Sequence, residues 1–244
     1  MIIKVCGMRE PENIRAVASL DIDLMGFIFY PQSSRYVQMI SSRAGIIPDY
    51  SVERLKGLKE RSEENSTEKT GDSPNAAPLP ARVGVFVDDM PQNIVTRVYN
   101  YSLDYVQLHG DESPVMIENL RRTLDPDIAP NVKIIKALSV RSEEEVRRWH
   151  DYNGLVDLFL YDTPTEKYGG SGEKFDWSVL EAYDGDVPFL LSGGIGPDDV
   201  ERIKSFHHPQ FAGIDLNSQF ETAPAVKDVE LLRTFIARIR NEQN

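Results

Sequence analysis

Eight short apolar runs recur along this chain of 244 residues, and they constrain its fold more than any other feature of the sequence. Each run is rich in Val, Ile, Leu or Phe and is followed by a polar or glycine-containing turn. The runs are IIKVCG, DLMGFIF, RVGVFV, DYVQLHG, VKIIKAL, LFLYDT, PFLLSGG and FAGIDL. Their length and composition predict eight buried strands.

Segments with helical spacing lie between most of these runs. They are PENIRAVASL, MPQNIVTRVYN, SPVMIENLRRTL, SEEEVRRWHDY and PDDVERIKSF, and DVELLRTFIARIR predicts a final helix. Alternating strands and helices predict parallel strands with right-handed crossovers. The length admits two ordinary domains or one barrel, but an open doubly wound sheet would have five or six strands. Eight units favour an α/β fold, a single-domain (β/α)₈ TIM barrel over residues 1–244.

One stretch between the second and third predicted strands departs from this pattern. Residues 53–80 are dense in charge, Ser and Pro, and are nearly free of large apolar side chains after Leu58. Such a composition cannot bury enough apolar surface to order itself strongly. We therefore predict a solvated insertion at 59–80 that follows a helical segment.

Composition limits the classes of partner. Acidic residues outnumber basic ones by 39 to 27, giving a net charge of −12, which disfavours a nucleic-acid partner. The chain runs from Met1 directly into a strand-like segment, so we expect neither a signal peptide nor a membrane span. Its single cysteine, Cys6, cannot form an internal disulfide, and we expect a cytoplasmic location.

Candidate site residues lie where the predicted strands end, because barrel active sites form at the carboxyl ends of the strands. They are Cys6, Arg35, His109, Asp162, Ser192, Gly193, Gly194, Asp215, Asn217 and Ser218. Side chains alternate along a strand, so Cys6 shares a face with Lys4 and Asp162 shares one with Leu160. Both would point into the barrel mouth, where a thiol and a carboxyl could act as base and acid.

Structural interpretations of the same residues stay open at this point. Most free cysteines are small buried hydrophobes, and Asp162 could cap a turn at DTP. A carboxyl that ends an apolar buried strand is nevertheless costly unless it is paired or functional. Arg35 suits bidentate recognition of a carboxylate, or it lies on the surface as many arginines do.

Two glycine-containing regions favour a phosphorylated small-molecule substrate. After Asp162, the positions Gly170, Ser171 and Gly172 suit a lid or a loop that lies against a ligand, although plain turns also use glycine. The last two strand ends offer backbone N–H groups, hydroxyls and nearby helix starts, where barrels often hold a phosphate. No GxGxxG opens the first helix, which disfavours a dinucleotide fold.

Seven motifs in order resemble the phosphoribosylanthranilate isomerase family of tryptophan biosynthesis. They are KVCGM, GFIFYPQSSRYV, VGVFVDD, VQLHGDE, YDTPTEKYGGSGEKFDW, LLSGGIGPDDV and GIDLNSQFE. The resemblance extends from Lys4 to about Asp228. It implies an Amadori rearrangement of N-(5-phosphoribosyl)anthranilate on a single barrel without metal or organic cofactor.

The resemblance also implies residue roles. Cys6 matches the family's general base, Asp162 its general acid and Arg35 the arginine that receives the anthranilate carboxylate. The last two strand-end loops match its phosphate site, and His109 with the glycine loop would contact substrate. Asp162 must then carry a proton while Cys6 reaches the thiolate, which nearby Lys4 would favour. We expect Lys4 itself to pair with an acid such as Asp215.

One residue of this chain departs from the family's pattern, and two other functions are alternatives. The family commonly has glycine where this chain has Gln219, which could narrow the phosphate site.

A ProFAR isomerase of histidine biosynthesis resembles this enzyme in mechanism but prefers an aspartate where Cys6 stands. A barrel that binds a sugar phosphate without turnover is the alternative from another class. The sequence makes no prediction about self-association.

Overall fold

The structure, a computed structural model, describes residues 1–38, 79–162 and 176–240. Its eight parallel strands form a closed barrel in chain order, with the last strand paired to the first. They are β1 Ile2–Val5, β2 Leu24–Ile28, β3 Ala81–Phe86, β4 Tyr105–Leu108, β5 Lys133–Ser139, β6 Leu158–Asp162, β7 Phe189–Ser192 and β8 Phe211–Leu216. The predicted (β/α)₈ barrel and its eight strands are confirmed.

Two predictions fall on residues outside the described ranges. The insertion at 59–80 does so except for Leu79 and Pro80. The glycine loop with Gly170, Ser171 and Gly172 does so completely.

Helices surround the barrel between the strands. They are α1 Pro11–Ala18, α2 Pro91–Tyr101, α3 Pro114–Leu124, α4 Glu143–Val146, α5 Val200–Ser205 and α6 Val229–Arg240. The first three start with proline, which has no backbone N–H to leave unpaired and a φ suited to a helix. Ser113 also caps α3 by accepting from the N–H of Met116. None of the described helices is long and apolar enough to cross a membrane.

Two predicted helices form only in part. SEEEVRRWHDY gives the short α4 and then a 3₁₀ helix at Arg147–Tyr152. Trp149 and Tyr152 are both buried, and a repeat of three residues per turn places them on one side. Similarly, Pro197–Asp199 forms a 3₁₀ turn before α5, and a third 3₁₀ helix occupies Trp177–Ala182.

Apolar side chains form two layers, one inside the barrel and one between the barrel and the helices. The inner layer comprises Cys6, Leu24, Val83, Val85, Ile135, Ala137, Leu158, Leu160 and Leu190. The predicted inward faces of β1 and β6 are therefore confirmed. Since strand side chains alternate, Asp162 follows Leu158 and Leu160 on the inward side.

A small hairpin beyond β8 was not predicted. Its strands β9 Glu221–Ala223 and β10 Val226–Lys227 pair antiparallel after a 3₁₀ turn at Ser218–Phe220. The backbone N–H of Lys227 donates to Asn13 Oδ1 at 2.8 Å, which fixes the hairpin to α1. This hairpin brings Glu221 and Lys227 to the barrel mouth.

Closure of the barrel depends on a close approach at Gly213. A Cβ added at this position would collide with the backbone of Ile2 on the neighbouring strand. We expect Gly213→Ala to lower the free energy of unfolding by about 3 kcal/mol, because a strand backbone cannot move aside easily. Urea denaturation would measure the loss.

Gly154→Ala provides the matched control. Gly154 has φ +74 and no atom near its added Cβ, so alanine there costs only backbone strain of about 1 kcal/mol. A Gly213→Ala variant no less stable than the Gly154→Ala variant would contradict this account of the closure.

Candidate active site

A cavity of about 260 Å³ opens at the carboxyl ends of the strands. It is lined by Cys6, His109, Asp162, Ser192, Gly193, Gly194, Asp215, Asn217 and Ser218, all of them predicted site residues. Ile28, Val85, Gln107, Ile195 and Gln219 complete the lining. Another cavity of about 490 Å³ lies at the amino ends near Met1 and Phe211, but its mainly apolar lining lacks this convergence of acid, base and polar groups.

Cys6 lies directly after β1 and faces this cavity. Its backbone N–H donates to the Leu216 carbonyl at 2.9 Å, which continues the β1–β8 ladder past the end of the strand. A Cβ at Gly26 would lie 2.7 Å from the sulfur, so glycine on β2 leaves the space that the thiol occupies. Gly26 is a supporting residue that the sequence did not single out.

Lys4 and Asp215 form a buried ion pair beneath Cys6, with Nζ 2.9 Å from Oδ1. The predicted pairing is confirmed. The assignment of Asp215 to the phosphate site needs correction, because a buried carboxylate repels a phosphate and this one already accepts the Lys4 ammonium. We therefore give Asp215 the role of partner to Lys4.

Charges around Cys6 act in opposite directions. Burial raises the pKa of the Cys6 thiol, Lys4 and Lys227 oppose the rise, and Asp215 adds to it. Burial alone would lower the pKa of Lys4, but Asp215 and Cys6 outweigh it and raise that pKa. Lys4 thus favours the thiolate as predicted, although the net pKa of Cys6 lies above its ordinary value.

Asp162 and His109 meet across the cavity. His109 Nε2 lies 3.4 Å from Asp162 Oδ2, and His109 Nδ1 lies 2.9 Å from Gln107 Nε2. The side chains of His109 and Asp162 are each about one-third exposed, so both reach the cavity. Gln107 is fully buried on β4 and was not identified from the sequence.

Arg35 lies beside the cavity and is not among its lining residues. Glu221 accepts from its Nε at 2.8 Å and from Nη2 at 2.6 Å. The aliphatic part of the Arg35 side chain packs against Gly7, which has φ +78. A Cβ added at Gly7 would lie 2.6 Å from Arg35 Cδ. Burial alone would raise the pKa of Glu221, but bonds from Arg35 and Lys227 lower it, so Glu221 stays a carboxylate.

Lys227 joins this cluster to the cavity. Its buried Nζ donates to Glu221 Oε1 at 2.7 Å and to Asn217 Oδ1 at 2.8 Å. Burial lowers the pKa of Lys227 despite the opposing charge of Glu221. Asn217 lines the cavity, so Lys227 fixes a predicted phosphate ligand from behind.

The loop after β7 turns sharply at two glycines. Gly193 has φ 90 and Gly194 has φ 66, a region that favours glycine. The helix starts expected here are three-residue 3₁₀ turns, Pro197–Asp199, which leads into the short α5, and Ser218–Phe220. A phosphate site at this rim therefore depends on backbone turns and on the Ser and Asn side chains.

A family model described as N-(5'phosphoribosyl)anthranilate (PRA) isomerase matches residues 45–238. A protein of that name from Parabacteroides distasonis is 43% identical over 239 residues, covering 98% of this chain and 93% of that protein. One from Phocaeicola vulgatus is 41% identical over 242 residues, covering 99% of each. This chain belongs to the N-(5'-phosphoribosyl)anthranilate isomerase family.

Solved structures agree with this membership of the phosphoribosylanthranilate isomerase family. The enzyme from Thermus thermophilus superposes with a TM-score of 0.70 at 26% identity, covering 99% of both chains. A phosphoribosyl anthranilate isomerase in complex with reduced 1-(o-carboxyphenylamino)-1-deoxyribulose 5-phosphate superposes with a TM-score of 0.67 at 25% identity, covering 99% and 100% of the chains.

Four residues of this family member were not identified from the sequence: Gly26, Gln107, Glu221 and Lys227. Gly26, Glu221 and Lys227 act through contacts with distant segments, whereas Gln107 contacts His109 two residues further along the chain. Two signals were available, since glycine inside an apolar strand run often marks a close approach and side-chain alternation puts Gln107 on the same face as His109. Among described residues, no group of three or more His, Cys, Asp or Glu side chains is arranged to hold a metal ion.

The ion pair beneath Cys6 yields a testable prediction. Lys4→Met removes a cation that favours the thiolate, so the pKa of Cys6 should rise further. Asp215→Asn removes an anion that opposes it, so the pKa should fall. Thiolate ultraviolet absorbance against pH would measure both, with Cys6→Ser as the blank for this single-cysteine protein.

These two variants control for each other. Each removes one half of the same buried pair and leaves the other half uncompensated, which is destabilising in either case. Their effects on Cys6 nevertheless have opposite signs. Shifts in the same direction would contradict the electrostatic assignment.

Proposed function

We propose that this chain converts N-(5-phosphoribosyl)anthranilate into 1-(2-carboxyphenylamino)-1-deoxyribulose 5-phosphate, an isomerase step of tryptophan biosynthesis. The observation that carries the proposal is the convergence of Cys6 and Asp162 on one cavity, in a chain of this family. A thiol base and a carboxyl acid on opposite sides of a substrate suit a proton transfer between oxygen and carbon centres.

Asp162 acts first, as the general acid. It protonates the ring oxygen of the aminosugar, which opens the furanose to a Schiff base. Cys6 as thiolate then removes the proton from sugar carbon two, and the resulting enolamine tautomerises to the ketone. The burial that raises the pKa of Cys6 makes the thiolate a stronger base once it forms.

Substrate anions bind at two places on the rim. Phosphate binds at Ser192, Gly193 and Gly194, together with Asn217 and Ser218 on the neighbouring loop. Turned backbone and hydroxyl donors suit its oxygens, and Lys227 adds a cation behind Asn217. Gln219 also lines this part of the cavity, where the family commonly has glycine.

Arg35 receives the anthranilate carboxylate. Its planar guanidinium can donate two hydrogen bonds to one carboxylate, as Nε and Nη2 do to Glu221. The substrate carboxylate binds the remaining Nη1 side or replaces Glu221. Contacts from His109 to the substrate and from Gly170, Ser171 and Gly172 stay predictions, as do the cytoplasmic location and the lack of nucleic-acid partners.

Two rivals make different predictions. The ProFAR isomerase of histidine biosynthesis prefers an aspartate where Cys6 stands, so the thiol disfavours that substrate. A barrel that only binds a sugar phosphate would not need an acid and a base facing one cavity. Assays with both phosphoribosyl substrates separate all three functions.

Cys6→Ser and Asp162→Asn test the two catalytic roles. Each should lower kcat by about a thousandfold, because general acid or base catalysis contributes factors of that order. Both should still bind the reduced product analogue in a titration. Turnover within about tenfold of wild type, roughly 1.4 kcal/mol of barrier, would remove that residue from its role.

The whole assignment is tested by growth. Wild type should rescue a tryptophan auxotroph that lacks this isomerase, whereas Cys6→Ser should not. If the folded wild-type protein neither rescues growth nor turns over the substrate, the proposed function is wrong.

Arg35→Ala tests the carboxylate subsite. Loss of a charge-assisted hydrogen bond worth about 1.5–3 kcal/mol should raise KM by about ten- to a hundredfold. The matched control is the phosphoribosyl adduct of aniline, which lacks the carboxylate. Wild type and Arg35→Ala should bind this analogue equally, and an equal effect on both substrates would exclude the subsite.

A further inference from the structure

We propose that Gln107 is a positioning residue that fixes the tautomer of His109 and thereby orients Asp162. This inference rests on the proposed function, in which Asp162 is the general acid. Three side chains carry it, at the ends of β4 and β6, which are separated by β5 and both line the cavity. Gln107 touches no reacting atom in this scheme and acts through its neighbour.

The first step is the contact between Gln107 and His109. The Gln107 amide nitrogen lies 2.9 Å from His109 Nδ1. An amide nitrogen only donates, so Nδ1 must be the accepting nitrogen of the ring. In a neutral imidazole the hydrogen then resides on Nε2.

The second step is the contact between His109 and Asp162. Nε2 faces Asp162 Oδ2 at 3.4 Å, so its hydrogen is donated to that oxygen. When Asp162 is ionised, the opposite tautomer would direct a nitrogen lone pair at its carboxylate oxygen, which is repulsive. Both ends of the imidazole therefore favour the same tautomer.

This arrangement has a consequence for the acid. Because Nε2 already carries a hydrogen, His109 cannot accept the proton of Asp162. The acidic proton is confined to Oδ1, and the bond to Oδ2 stabilises the carboxylate that forms when the proton leaves. Asp162 is thereby held in one orientation through successive turnovers.

The interior position of Gln107 is an independent sign of function. The residue is fully buried in a barrel interior where the buried charges of Lys4 and Asp215 are paired with each other, whereas its own Oε1 has no hydrogen-bond partner among the described residues. A residue needed only for packing would be apolar here, since an unpaired buried carbonyl destabilises the fold. A requirement for the amide donor explains why a glutamine occupies this site.

The test is Gln107→Met, which keeps the approximate volume and removes the donor. The ¹⁵N chemical shifts of His109 in labelled protein report its tautomer without any turnover, and His109→Gln identifies the signal among four histidines. We expect wild type to show the Nε2–H tautomer and Gln107→Met to lose its predominance. In parallel, kcat should fall at least tenfold while KM changes less than threefold.

Gln219→Met is the matched control, because Gln219 lines the same cavity without a bond to His109. It should leave the His109 tautomer unchanged. An Nδ1–H tautomer in wild type, a changed tautomer in the control, or an unchanged kcat in Gln107→Met would each overturn the proposal. A folded wild type with the expected tautomer and no isomerase activity would instead refute the proposed function.

Discussion

The ion pair between Lys4 and Asp215 joins the first strand of the barrel to the last, across 211 residues of sequence. The two residues are register partners at the seam where β1 and β8 pair. Closure there places both strand ends at one mouth, and Cys6 and Asn217 each lie two residues beyond this pair. The site exists only because the seam closes.

Three cations near the barrel mouth, Lys4, Arg35 and Lys227, are each paired with a carboxylate. The protein carries a net charge of −12, yet its proposed substrate is an anion with a phosphate and a carboxylate. Lys4 is held by Asp215, while Arg35 and Lys227 share Glu221. These pairs hold the cations in fixed positions beneath, beside and behind the cavity in which the proposed anionic substrate would bind.

The proposed base, Cys6, and the proposed acid, Asp162, occupy different surroundings. Cys6 is buried above an ion pair whose two members act on it with opposite sign. Asp162 is about one-third exposed and meets a histidine that is itself held by a buried amide. The thiol and the carboxyl therefore have separate neighbours, which are Lys4 and Asp215 on β1 and β8 for Cys6, and His109 after β4 for Asp162.

The sequence alone predicted the barrel because strand and helix periods alternate eight times, and parallel strands joined by crossovers put their carboxyl ends on one rim. That topology, with side-chain alternation, was sufficient to bring Cys6, His109, Asp162 and Asn217 together. It also predicted the Lys4–Asp215 pair, since an inward lysine requires an acid.

Only the tertiary structure decided the contacts that tune these groups. Glu221 and Lys227 carry no local pattern, because a hairpin after β8 determines what they touch. Gln107 contacts His109 two residues on, and only the fold brings that histidine to Asp162 on β6. Likewise, the sequence analysis assigned Asp215 two roles, as a phosphate-site residue and as a partner of Lys4, and the buried contact between the two side chains favours the second. The periodicity of a sequence specifies which face of its strand or helix a side chain occupies. The group that the side chain contacts depends on which other segment the tertiary fold brings to the same place.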